Sequence, residues 1–312
     1  MIYTVTLNPA LDKTVEIPGF SIGNVNRITA MRTDPGGKGI NVSKVIHALG
    51  GESVALGILG GSTGCAIADA LEKMGLTCDF LFAPGQTRTN LKVVDPLGHT
   101  NTDINEPGFP VTEELLDTLL RKLTQRLCPE DIVILSGSLP KGAPADTYRK
   151  WVEACAAAEA KVFLDADGEA FRHGLQAKPF LVKPNDHELS RLAGRELATL
   201  EALREAAEQL LERGIGQVVV SMGSRGALYV TGEKRLYAEG LSVPVGSTVG
   251  AGDSVVAALA VAESRGYTPE EAAVLSAATG AANVMCSGTQ AATRETVESL
   301  IPKVVLHNIR EA

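Results

Sequence analysis

No stretch of this 312-residue chain is apolar for the roughly 18 residues that a membrane-spanning helix needs, which argues against a membrane protein of that kind. Basic charge is not in excess either. Lys and Arg number 29 against 37 Asp and Glu, a net charge of −8, and no nucleic-acid footprint is expected. The five cysteines, Cys65, Cys78, Cys128, Cys155 and Cys286, are odd in number and scattered, with no Cys-x-x-Cys pair. They predict buried, reduced thiols in a cytosolic, cytoplasmic protein. The five histidines, His47, His99, His173, His187 and His307, show no metal-ligand spacing and are assigned no chemistry. A P-loop needs Gly-x₄-Gly-Lys-Ser/Thr, and no window matches. Gly57–Gly64 is glycine-rich but lacks Gly-x-Gly-x-x-Gly spacing. It reads as a tight strand-to-helix turn, which disfavours a dinucleotide-dependent dehydrogenase. Met1–Leu7 has no basic n-region and reads as a first strand, not a signal peptide. Repeats, low-complexity stretches and long linkers are absent too.

What is present is a chain 45% hydrophobic, suited to one large domain with a small appendage. From about residue 108 on, short apolar runs alternate with segments whose apolar residues recur at three-and-four spacing. Asp131–Leu135, Lys161–Leu164, Phe180–Val182 and Gln217–Ser221 read as strands. Glu113–Leu127, Ala145–Ala158 and Leu200–Arg213 read as helices. This alternation predicts an α/β fold, doubly wound, with a mostly parallel sheet and helices on both faces. Ala251–Arg265, Pro269–Cys286 and Arg294–Leu300 predict a helical C-terminal part. Residues 12–35 and 88–107 break the rhythm and carry turn signals, so they predict a small separate β-sheet. The expected division is a core of residues 1–11, 36–87 and 108–312 and a β appendage of 12–35 and 88–107.

Residues 247–259, Ser-Thr-Val-Gly-Ala-Gly-Asp-Ser-Val-Val-Ala-Ala-Leu, carry the strongest chemical signal. Small residues Gly250, Ala251 and Gly252 deliver Asp253 onto the first turn of an apolar helix. The first N–H groups of a helix lack internal partners, and the dipole adds attraction for anions. An aspartate there is placed to take a proton from an alcohol while the N–H groups form an anion hole. The plainer reading is a helix N-terminal acid that favours the dipole. Gly36-Gly37-Lys38-Gly39 precedes Asn41 and lets backbone close onto a ligand. Arg88, Asn90 and Lys92 alternate along one strand face. That pattern fits a solvated edge or a phosphate clamp, and guanidinium geometry suits phosphate oxygens. Asn185 and Glu188, three apart at a helix start, fit a capping box, a hydrated Mg²⁺ site, or both.

These segments, together with Thr6–Asp12, Thr87–Lys92, Ser136–Pro140 and Lys183–Glu188, resemble the PfkB/ribokinase family of sugar kinases along essentially the whole chain. Within it, the similarity is strongest to the phosphosugar branch, which often opens the second signature with Ser-Thr, as Ser247-Thr248 does here. The resemblance implies a ribokinase-like fold whose small β-sheet is a lid over the sugar. It implies ATP and Mg²⁺, with Asn185 and Glu188 as the metal site and Asp253 as general base. The substrate would be a ketohexose phosphate. D-fructose 1-phosphate, giving fructose 1,6-bisphosphate, is the first expectation; fructose 6-phosphate and tagatose 6-phosphate are alternatives. Asp12, Gly36, Gly37, Lys38, Asn41, Arg88, Asn90, Lys92 and Ser138 would face the sugar phosphate. Lys183, Asn185, Ser221, Gly223, Gly226, Ser247 and Asn283 would face the nucleotide. A homodimer through the lid is a further implication. A non-catalytic sugar or nucleotide sensor on this fold would show a broken base or anion hole, and both are intact. A kinase of unphosphorylated sugars would not need Arg88 and Lys92.

Overall fold

The computed structural model describes residues 1–309 and holds two sheets. The main sheet runs Leu306–Asn308, Arg235–Ala238, Ala227–Thr231, Gln217–Ser221, Leu181–Val182, Lys161–Asp165, Ile132–Ser136, Ile2–Thr6, Ser53–Leu59 and Thr77–Cys78. Leu81–Phe82 also pairs with Ser53–Leu59. Pairing is parallel from Gln217–Ser221 to Thr77–Cys78 and antiparallel among the four strands of the other edge. Ile2–Thr6 and Ile132–Ser136 are buried at every residue, as continuous apolar strands covered on both faces must be. Helices cover both faces. Glu113–Thr124, Thr147–Ala157, Gly168–Leu175, Asp186–Ala193 and Leu200–Glu212 pack one core around Tyr148, Trp151 and Leu119. Lys38–Ala48, Ala251–Ser264 and Pro269–Val284 pack the other around Val42, Ile46 and Val256–Val261.

The doubly wound α/β architecture is therefore present, and the predicted segments recur with ends moved by a few residues. Arg235–Ala238 and Leu306–Asn308 are strands that the sequence pattern did not announce. Both are short, the second at the edge of the sheet, and too brief for periodicity to register. The chain steps from Ile2–Thr6 first to Ser53–Leu59 on one side, later to Ile132–Ser136 on the other. Ile2–Thr6 thus marks the topological switch point, where open α/β sheets leave a crevice at the carboxyl ends of their strands.

The second sheet has the order Ala30–Gly36, Ala10–Glu16, Arg88–Asp95, Thr100–Asn105. It begins right after the carboxyl end of Ile2–Thr6, two residues before the expected 12–35 stretch. Val15, Ile17 and Val93 form its own small apolar cluster. All five cysteines are free, but against expectation not all are buried. Cys155 is buried, whereas Cys65 and Cys128 are exposed, one on the helix Gly61–Lys73 and one in a loop beyond Glu113–Thr124. Helix Gly61–Lys73 turns Ile67 and Leu71 inward, which leaves Cys65 on the solvent face. Among the described residues no helix is long and apolar enough to cross a membrane.

Candidate active site

A cavity of about 590 Å³ lies at the switch point, between the carboxyl ends of the main strands and one face of the second sheet. Asp12, Gly37, Lys38, Asn41, Arg88, Asn90, Lys92, Ser138, Lys183, Asn185, Glu188, Ser221, Gly250, Gly252 and Asp253 all line it. Segments more than 200 residues apart meet here: Asn41 Nδ2 donates to Asp253 Oδ2 at 2.9 Å.

The glycines of the first cluster have distinct local causes. At Gly36 a Cβ would lie 2.0 Å from Asp12 Oδ2, so the side chain is absent where the carboxylate sits. Gly37, at φ +110°, turns the strand Ala30–Gly36 into the helix Lys38–Ala48. Gly39 lets that helix press against Val5 and Thr6. At the second cluster Gly250 adopts φ +83° as the N-cap of Ala251–Ser264. The Ala251 N–H is engaged by Thr248 O at 3.4 Å, while no acceptor meets the N–H of Gly250 or Gly252 among the described residues. The cavity borders the latter two glycines and not Ala251.

Charge is concentrated at the floor. Asp165, at the carboxyl end of Lys161–Asp165, places Oδ1 3.4 Å from both Lys38 Nζ and Lys183 Nζ. Burial pushes its carboxyl up, but the ammonium groups of Lys183 and Lys38 outweigh burial and hold it below the usual range. In turn Asp165 raises the Lys38 ammonium. Asp253, 6% exposed, is pushed up by burial and by Asp165, against the opposing pull of Lys38 and the Asn41 hydrogen bond. Asp12 is raised by burial too, with Asn90, Lys44 and Arg88 opposing; Asn90 Nδ2 donates to Asp12 Oδ1 at 3.0 Å. Thr6 Oγ1, Asn41 Oδ1, Asn90 Oδ1, Ser136 Oγ and Asp165 Oδ2 are buried without a hydrogen-bond partner. Each such group costs about 1–3 kcal/mol, so the arrangement is built for a highly polar ligand. Asp165 was missed by sequence reasoning. Its available signal was an acid one residue past a predicted strand.

On the second sheet Arg88, Asn90 and Lys92 share the cavity face with Asp12, Thr14, Asp103 and Asn105. Arg88 is largely engaged by backbone: Nη2 donates to Asn8 O at 3.0 Å, Nη1 to Glu106 O at 3.1 Å and Nε to Pro9 O at 3.4 Å. Three of its five N–H groups are thereby used, and two remain for a ligand. Asn185 and Glu188 form a full capping box, with Glu188 N–H to Asn185 Oδ1 at 2.7 Å and Asn185 N–H to Glu188 Oε2 at 2.8 Å. Glu188 lines the cavity, and its second oxygen makes no hydrogen bond among the described residues.

Gly36, Ala251, Gly223, Gly226, Ser247 and Asn283 lie behind this lining or beside it. Gly223 opens and Gly226 closes a 3₁₀ turn between the antiparallel strands Gln217–Ser221 and Ala227–Thr231. A Cβ on Gly226 would lie 2.0 Å from Ala238 O. Arg225 in that turn donates to Asp186 Oδ2 at 2.7 Å, fixing the turn to the helix that carries Glu188. Ser247 Oγ accepts from the Val249 N–H at 3.2 Å and shapes the approach to Gly250. Asn283 is buried, and its Nδ2 lies 3.3 Å from the point where a Gly250 Cβ would sit.

The family model for pfkB family carbohydrate kinases matches residues 5–296. This chain belongs to that family. As a pfkB-family member it is a sugar kinase, a phosphotransferase for which ATP is a substrate. It is 42% identical over 278 residues to a 1-phosphofructokinase of Rhodobacter capsulatus, covering 89% of this chain and 88% of the relative. It is 39% identical over 307 residues to a 1-phosphofructokinase of Bacillus subtilis (strain 168), covering 97% and 98%. Among solved structures it is similar to phosphofructokinase-2 from Escherichia coli in complex with substrates and products. That match has 32% identity, a TM-score of 0.93, and coverage of 97% of this chain and 98% of the other. The pfkB-family fold, with its large mostly parallel sheet and separate small sheet, is the one described above.

Proposed function

We infer that the chain transfers the γ-phosphoryl group of ATP to O6 of D-fructose 1-phosphate, giving fructose 1,6-bisphosphate. The similarity to 1-phosphofructokinases over up to 97% of the chain carries the substrate reading. The cavity supports it with cations on its sugar side, Lys38, Arg88 and Lys92.

In this reading Asp253 accepts the O6 proton, and it must be ionised to do so. The unpaired N–H groups of Gly250 and Gly252, at the positive end of Ala251–Ser264, hold charge that develops on the transferring group. Lys38 and Lys183, kept apart and oriented by Asp165, flank the path from donor to acceptor. Asp12 and Asn90, already hydrogen-bonded to each other, orient ring hydroxyls. Arg88, with its two remaining N–H groups, and Lys92 hold the existing phosphate, with Ser138 nearby. The nucleotide lies toward Lys183, Asn185 and Ser221, along Gly223, Gly226, Ser247 and Asn283. The donor set of Asn185 and Glu188 fits Mg²⁺ that keeps most of its water, because their capping bonds leave one carboxylate oxygen available. Such an ion would neutralise phosphate charge when bound with ATP.

The division proposed with this mechanism is a core of 1–11, 36–87 and 108–312 and a lid of 12–35 and 88–107, which would exclude water from the transfer. Met31 and Ile104, exposed on the two edge strands of the second sheet, support docking of a second copy there. A cytoplasmic setting belongs to the same reading, since its substrates are ATP and a sugar phosphate. A coupled kinase assay with fructose 1-phosphate, fructose 6-phosphate and tagatose 6-phosphate tests the assignment. The highest kcat/KM is expected for fructose 1-phosphate, and a preference for either 6-phosphate overturns it.

A further inference from the structure

The helix Lys38–Ala48 turns three polar side chains toward the site at three-residue spacing, so they share one face. Lys38 meets Asp165 and Asn41 meets Asp253. The third, Lys44, is 7% exposed and has no carboxylate within ion-pair distance; instead its ammonium donates to Pro35 O at 2.9 Å, to Thr289 O at 2.8 Å and, at 3.5 Å, to Thr289 Oγ1. Thr289 lines the cavity, and Pro35 lies just behind the lining, two residues before Gly37. Pro35 precedes Gly36, the residue that makes room for the Asp12 carboxylate. Thr289 and Gly288 line the cavity from the segment after Pro269–Val284. One buried ammonium therefore joins the end of the strand Ala30–Gly36, the helix that carries Asn41, and a segment of the C-terminal half. A buried charge with no carboxylate in direct contact is costly, and two carbonyls with one distant hydroxyl are modest recompense unless the charge itself is used.

We propose that Lys44 is a positioning residue for phosphoryl transfer: without touching substrate, it locks the Pro35–Gly36 wall to Thr289 and so holds Asp12 and Asn41 in register with Asp253. The proposal rests on the kinase reading above.

The surroundings supply a distinctive readout. Burial pushes the Lys44 ammonium down to about 8, while Asp34, Asp12 and Asp253 pull it up and Arg32 pulls it down. Its folded-state pKa lies below the ordinary 10.5, so the unfolded chain binds more protons between those values. Stability at this position therefore rises as pH goes from about 8 toward 10.5. Activity moves the other way, because the neutral amine loses the charge that strengthens its grip on the two carbonyls. A purely structural rivet would move stability and activity together.

The test compares wild type, Lys44→Met and Lys44→Arg by steady-state kinetics and thermal melting from about pH 6.5 to 9.5. Lys44→Met is expected to lower kcat/KM for fructose 1-phosphate about 10–100-fold near neutrality, with KM for ATP changed less than about threefold. Wild-type kcat/KM is expected to fall above about pH 8 while its melting temperature climbs relative to Lys44→Met. Lys44→Arg keeps its charge throughout, so its alkaline fall should be absent. A folded Lys44→Met within about threefold of wild type overturns the proposal. So does an alkaline fall that persists in Lys44→Arg, a measurement that stands even where Lys44→Met does not fold. A wild type inactive on fructose 1-phosphate would instead strike the underlying substrate reading.

Discussion

The floor and the roof of the cavity are built to different rules. On the floor, Asp253 to Ala262 are all buried along Ala251–Ser264, and the charged groups beside them, Asp165 and Lys183, are buried as well. Asp165 and Asp253 each have a fixed partner and a displaced pKa. On the roof, every residue of Thr100–Asn105 is exposed, and the half-buried Lys92 side chain makes no hydrogen bond or ion pair among the described residues. The difference separates two tasks. Electrostatic stabilisation of a transition state needs dipoles and charges that do not reorganise, which a buried floor supplies. Capture of an anionic substrate by a protein of net charge −8 needs accessible local cations, which an exposed roof supplies. Floor substitutions should act on kcat, and roof substitutions on the sugar-phosphate KM.

The hardest blow to this contrast is Asp253→Asn. It should lower kcat about 10²–10⁴-fold while ATP binding, followed by calorimetry, persists. Burial raises the Asp253 pKa, so wild-type kcat should fall on acidification at a pH above the ordinary aspartate range. The sign for stability is opposite. The folded state holds its proton more tightly than the unfolded chain, so stability falls as pH rises through that window. Asp253→Asn should therefore melt at a higher temperature than wild type at neutral pH. A loss of kcat below about tenfold would remove Asp253 from the role of base.

Next comes Arg88→Ala, expected to lower kcat/KM for the sugar phosphate about 10–150-fold with KM for ATP nearly unchanged. Its three bonds to Asn8, Pro9 and Glu106 carbonyls add a structural component that lysine cannot restore. An unphosphorylated sugar separates the two components. Equal losses on both sugars would make Arg88 a brace of the roof alone.

Asn185→Ala and Glu188→Ala sit on the boundary between floor and nucleotide. Loss of either half of the capping box should cost about 0.5–2 kcal/mol of stability. If the pair also holds hydrated Mg²⁺, both variants should shift the activity curve to higher free Mg²⁺. Curves that stay on the wild-type curve while stability drops would leave capping as the whole role of the pair.

The smallest effect is expected at Lys92→Ala: roughly a few-fold increase in sugar-phosphate KM, shrinking as salt rises, because the charge is accessible and screened. If kcat falls instead while KM holds, the division between floor and roof fails.

Much of this was readable in the chain alone because it depends on neighbours in sequence. Apolar runs and three-and-four spacing announced the alternation of strands and helices. The two-residue period put Arg88, Asn90 and Lys92 on one face, and the three-residue interval put Asn185 and Glu188 at one helix start. Gly250–Asp253 was legible because a carboxylate on the first turn of a helix is a local event. What only the tertiary structure decided were encounters between distant segments. Asp165 shares one oxygen between Lys38, 127 residues away, and Lys183. Lys44 grips Thr289 across 245 residues, and Arg88 is drawn onto the carbonyls of Asn8 and Pro9. Cys65 and Cys128 face solvent although cysteine favours the interior. In the last two grips the acceptors are backbone carbonyls, which every residue carries, so no residue type marks them in advance. Only the folded path of the chain determines which of them a buried charge will meet.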